Sequence, residues 1–109
     1  MKRILLASLL MICNAHAAEK KLSGAEMQSV LSDKILYAKG TEQIFQKTGV
    51  TFYASGGNQS QGNWKIDGEK YCSQWPPNQS WACYGMTQDD NKITFISKDG
   101  DRTEMSVVK

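Results

Sequence analysis

The hydrophobic positions of this chain keep two different periods. Past Leu22 they recur at helical spacing: Met27, Val30 and Leu31 share one face, while Gln28, Ser29 and Asp33 fall elsewhere. Ser23 stands as an N-cap, Glu26 three residues on completes a capping box, and Leu22 is placed to staple against Met27. These signals predict a short amphipathic helix of about ten residues, with one apolar stripe that something else must cover.

From Lys34 onward the period is two. Strands are predicted over 35–38, 43–46, 50–54 and 63–66, then over the two arms around Cys72 and Cys83, and finally over 93–96 and 103–107. Gly40, Lys47-Thr48-Gly49, Gln88-Asp89-Asp90-Asn91 and Lys98-Asp99-Gly100-Asp101 supply the turns, and Asp67-Gly68 is a strong two-residue hairpin signal. The glycine-rich polar stretch 55–62 reads as a loop. The arms around the two cysteines form a hairpin of their own. With Cys72 opposite Cys83, Tyr71 faces Tyr84, Trp75 faces Ser80, and Pro77-Asn78 remain as a two-residue tip. About seven or eight short strands follow one another, with no second helix to serve as a parallel crossover. The fold class expected is mainly β (α+β by count): a small antiparallel meander curled into a barrel or sandwich, with one short N-terminal helix closing an end.

The first residues set the compartment. Lys2 and Arg3, an apolar run over 4–12 and the small-residue signature Ala15-His16-Ala17 make 1–17 a bacterial-type secretory signal, with cleavage between Ala17 and Ala18. Ile12 precedes Cys13 where lipoprotein processing takes Gly, Ala or Ser, so a plain cleaved signal is expected over lipid attachment. The apolar run falls short of the roughly 20 residues of a membrane span. A charged, mobile leader over 18–21 and a single domain over 22–109 complete the organisation, and the protein is expected in the periplasm or secreted, as a monomer with no integral membrane segment.

Cleavage also changes the charge. Of 13 basic residues Lys2 and Arg3 leave, so 11 face 11 acidic ones and the mature chain is formally neutral. Without a basic cluster there is no counterion-release term for nucleic acid, which is not expected as a partner. The single histidine, His16, leaves too, and with it the commonest general base and metal ligand. Of three cysteines two remain, and Cys72 and Cys83 in an exported chain are read as a disulfide. Asp99-Gly100-Asp101 with Glu104, and Asp89-Asp90-Asn91, lack the spacing of a calcium loop and are read as turn chemistry. No catalytic residue, metal or cofactor is assigned.

The aromatics remain. Trp64, Tyr71 and Tyr84 are expected in the core of so small a domain. Trp75 and Trp81, beside Pro76-Pro77 near an exposed tip, are the candidate interaction surface, since Trp and Tyr often anchor interfaces or carry sugars.

The order Leu22-Ser23-Gly24-Ala25-Glu26, Leu31, Leu36-Tyr37, Gly62-Asn63-Trp64-Lys65-Ile66, Tyr71-Cys72, Cys83-Tyr84 and Lys98-Asp99-Gly100 resembles small exported proteobacterial domains of unknown function. In those domains a Leu-Ser/Thr-Gly-x-Glu helix precedes a β-meander with a Gly-x-Trp strand and one cysteine pair. The stretch 55–61 departs from the Asp-Gly turn usual there. The resemblance implies the fold and no activity or ligand.

Several functions stay open. The first is a non-enzymatic binding or interaction module for an unknown protein or small ligand, acting through a surface or a barrel mouth near the hairpin. An inhibitor or immunity protein for a cell-wall hydrolase or toxin is a subtype of it. The second is a barrel that carries an apolar small molecule. A histidine-free hydrolase would need two acids about 5 to 9 Å apart in a cleft. A barrel filled by Trp64 and Phe95 would exclude the carrier, and full burial of Trp75 and Trp81 would count against the interaction module.

Overall fold

The computed structural model describes residues 18–109; the signal-like segment 1–17, with Cys13, His16 and Ala17 of the expected cleavage site, lies outside the described residues. The elements are β1 (Lys20–Lys21), α1 (Gly24–Leu31), β2 (Lys34–Ala38), β3 (Thr41–Phe45), β4 (Val50–Ser55), β5 (Asn58–Asp67), β6 (Lys70–Gln74), β7 (Ala82–Asp89), β8 (Lys92–Ile96) and β9 (Arg102–Val107). Each of β2 to β8 pairs antiparallel with its successor, and β9 returns to β2 with Leu36 opposite Val107. The result is a closed eight-stranded up-and-down barrel with one extra strand. Of the two architectures the sequence allows, the barrel is the one formed.

The helix closes one end, as its signals predict. Ser23 N donates to Glu26 Oε1 at 2.8 Å and Glu26 N to Ser23 Oγ at 3.2 Å, completing the capping box. Leu22, Met27 and Leu31 are buried in one cluster with Leu36, Phe45, Trp64, Met86 and Ile93. Phe45 meets Trp64 and Tyr71 edge-on, each with centroids 5.8 Å apart, an arrangement favoured by the ring quadrupoles. The buried Trp64 indole is satisfied by donating to Gln46 O at 2.8 Å. The helix is eight residues long, shorter than the periodicity suggests: Ser32 N caps it by donating to Gln28 O, and Asp33 at φ 59° turns the chain into β2. Its first residue lies against the β5–β6 turn so closely that a Cβ on Gly24 would stand 2.1 Å from Gly68 O. Gly24 N donates to Glu69 Oε1 there, at 2.9 Å.

Two expectations about turns are corrected. The stretch 55–62 is not a loop: Gly56 and Gly57, at φ 60° and 87°, make a two-residue turn between the paired Ser55 and Asn58, and β5 runs for ten residues. Two successive positive φ values suit the tight hairpin turn that follows the strand twist, and glycine adopts them without a Cβ penalty. Asp67 is not a turn residue either. It pairs with Lys70, and the turn is Gly68-Glu69, one residue further on.

The leader expected to be mobile carries β1, whose Lys20 and Lys21 pair with Gln88 and Thr87 beyond the part of β7 that pairs with β6. Glu19 accepts from the Thr87 hydroxyl at 2.7 Å and from the Arg102 guanidinium. At the other terminus Ile35 N donates to Lys109 O, and Val108 N to Ile35 O. Residues 20–21 and 108–109 thus both lie at the end that the helix closes.

Replacing Ser23 by Ala should cost about 1 kcal/mol in urea unfolding. Gly24→Ala, which drives a methyl into a backbone carbonyl, should cost about 1 to 3 kcal/mol. Lys20, 2.8 Å away, and then the Ser23 amide hold the Glu26 carboxyl down to about 2 from an ordinary 4.5. A depressed folded pKa gives stability that is present above 4.5 and lost as the pH falls toward 2. The melting temperature of Glu26→Gln should therefore lie below that of the unmutated protein at neutral pH and converge with it over that acid window.

Candidate functional site

In the half of the barrel away from the helix, side chains do not fill the interior. A cavity of about 620 Å³ opens there, at the end where the turns between β2 and β3 and between β4 and β5 lie. The inward residues change character along each strand. On β3 Phe45 is core, while Gln43 and then Thr41 face the cavity; on β6 Tyr71 gives way to Ser73; on β9 Met105 gives way to Thr103. Phe95 and Tyr71 form the floor, with centroids 5.3 Å apart, and above them Tyr84 and Tyr53 stand as walls. None of the lining residues carries a charge.

The polar groups of the floor are ordered by one another. Gln43, 7% exposed, donates from Nε2 to Thr51 Oγ1 at 3.0 Å, and Thr51 Oγ1 donates to Ile44 O at 2.8 Å. Burial pushes the Tyr71 phenol well above its usual value, against a lowering by Ser73 and Gln43 beside it, so the hydroxyl stays protonated at any physiological pH.

The hairpin between the cysteines sits at the rim. Cys72 and Cys83 are joined, with Tyr71 opposite Tyr84 as the sequence predicts. Pairing stops at Ser73 and Ala82, however, so 75–81 is an open loop; Trp75 does not face Ser80 and Pro77-Asn78 are not a two-residue tip. Pro76 and Pro77 have no N–H to continue the ladder. Asn78 N donates instead to Trp75 O at 3.0 Å, and Ser80 N to Asn78 Oδ1 at 2.9 Å.

This loop separates the two tryptophans. Trp75 turns inward: its Nε1 donates to Ser73 Oγ at 3.2 Å, and its ring lies 6.0 Å from that of Tyr53 at 70°. It rests on Gly62, where a Cβ would come within 2.6 Å of the indole. Pro76 lines the same opening, and Pro77 is exposed in the loop. Trp81 is 38% exposed on the outer wall, with Lys65 Nζ 4.2 Å from its ring centroid. The four residues expected to share a surface therefore divide between the cavity and the exterior, and neither tryptophan is fully buried.

The cavity itself was not predicted residue by residue. Gln43, Thr41, Ser73 and Thr103 carry no motif; their one signal is that polar side chains occupy inward positions on the mouth side of Phe45, Tyr71 and Met105. Trp64 lies in the filled half and Phe95 ends at the floor, so these two rings do not fill the barrel. Comparisons of the chain with protein-family models, with curated proteins and with solved structures return no match. Among the described residues no helix is long and apolar enough to cross a membrane.

Thiol titration of the unreduced, unfolded protein should detect neither Cys72 nor Cys83. Reduction should lower stability in urea by somewhat under ~3 kcal/mol, the figure for a slightly longer closed loop. Gly62→Ala should unseat Trp75 and move the tryptophan emission to longer wavelength.

Proposed function

We propose that the protein is an exported, non-enzymatic binding module that takes a small uncharged ligand into the mouth of its barrel. The observation that carries this reading is the cavity of about 620 Å³ with no charged residue in its lining. That volume lies inside the roughly 300 to 1,000 Å³ usual for small-molecule sites, which are mostly apolar with a few placed polar groups. An eight-stranded barrel can hold one such ligand once its interior is only half filled. The signal-like segment and the Cys72–Cys83 disulfide support export.

A second reading rests on Trp81. Its exposed ring on the outer wall beside Lys65 suits the anchor of a protein partner, as an inhibitor or immunity protein would need. The cavity is favoured because several strands contribute to it and Trp75, the other tryptophan of the loop, points into it.

N-phenyl-1-naphthylamine, an uncharged dye that brightens in apolar sites, tests the cavity. Saturable binding at one dye per chain is expected, together with its loss in Ala38→Trp and Thr103→Phe, each of which fills the mouth. Circular dichroism melts identify the variants that keep the fold. Absence of saturable binding, or binding unchanged in a folded mouth-filling variant, would overturn the proposal.

A further inference from the structure

We infer that the ligand is an uncharged planar ring molecule carrying a hydrogen-bond donor, and that the side-chain oxygen of Gln43 reads the donor. This rests on the mouth cavity being the binding site and adds what the site selects.

The donor follows from the order of hydrogen bonds behind the floor. A backbone carbonyl only accepts, so the Thr51 hydroxyl proton is committed to Ile44 O at 2.8 Å. Thr51 Oγ1 is then an acceptor toward Gln43, and the amide end facing it at 3.0 Å has to be the NH2. This settles the amide orientation by chemistry and not by the appearance of its two ends. Gln43 lines the cavity and Thr51 does not, so the amide oxygen is left on the cavity side with lone-pair capacity. Of its neighbours on the floor, Ser73 Oγ already accepts from the Trp75 indole, and the protonated Tyr71 hydroxyl beside Gln43 can fill at most one of the two lone pairs of the amide oxygen.

The ring follows from the walls. Tyr53 and Trp75 stand at 70° to each other above the Phe95 and Tyr71 rings, and flat faces of this kind are best covered by a flat apolar face. An ion entering this lining would lose its hydration with no countercharge to replace it. A saturated chain, or a ring without a donor, would cover the Gln43 oxygen and leave its remaining lone pair unpaired.

The test uses two probes of nearly the same shape, 2-naphthol, which has one donor, and 2-methoxynaphthalene, which has none, with anionic 2-naphthoate as a third arm. Binding is measured by fluorescence titration of the disulfide-bonded protein. The expected result is that 2-naphthol binds about tenfold more tightly than its methyl ether, the scale of one unsatisfied buried acceptor. Naphthoate should bind more weakly than either. In Gln43→Met the preference should fall below about twofold with the affinity for the ether retained. Thr51→Val, which keeps Gln43 and releases its amide to turn over, should shrink the preference too. Equal affinity for naphthol and ether in the unmutated protein, or a preference that survives Gln43→Met, would overturn the inference. With N-phenyl-1-naphthylamine bound in the cavity, such a result removes the donor reading alone; failure of that dye to bind removes the binding site itself.

Discussion

The pairing of β9 with β2, Leu36 opposite Val107, converts a meander into a barrel, and the remaining features of the molecule answer to the interior that this closure encloses. A closed sheet has no edge to protect, but it has two ends, and apolar inward residues must be kept from water at each. At one end lies the one helix among the described residues. Leu22, Met27 and Leu31 descend onto Phe45 and Trp64, and Gly24 lets the helix backbone touch the Gly68 carbonyl. At the other end nothing comparable is supplied, and the interior passes from methionine, phenylalanine and leucine to glutamine, serine and threonine before reaching solvent. The cavity is the place where that gradient leaves space.

What was legible in the sequence followed from how locally each feature is encoded. The capping box needs only Ser23 and Glu26, and a staple only Leu22 and Met27, so the helix start could be read from six consecutive residues. The eight strands and the partnership of Cys72 with Cys83 came from short-range alternation and from the scarcity of cysteine. Register was harder, because a turn residue and its neighbour are often chemically interchangeable: Asp67-Gly68 and Gly68-Glu69 both suit a tight hairpin, and in the turn that forms Glu69 accepts from the distant Gly24 amide, a contact no local pattern reveals. The stretch 55–62 misled for another reason. Strands at a barrel mouth are wetted on both faces, so the polar composition that marks a loop elsewhere marks here the rim of a sheet. The cavity needs residues from β2 through β9 to meet in space, and no local pattern carries that information.

The loop 75–81 shows how a small covalent feature can divide the work of two like residues. The disulfide holds the root of the loop one pair before the last paired residues of β6 and β7, and the prolines prevent the strands from running on. One tryptophan then closes against Gly62 and Tyr53 on the inside, while the other lies outside along Lys65. Chemically equivalent side chains thus face two different environments. The inner one is ordered by its hydrogen bond to Ser73 and the outer one by a cation over its face.

Lys20 and Lys109 both belong to the closed end, the first through β7 and the second through Ile35. A linker attached at Lys109 would therefore start beneath the helix. The point of attachment and the opening of the cavity would then lie at opposite ends of the barrel, so the tether itself would not stand in the way of a ligand.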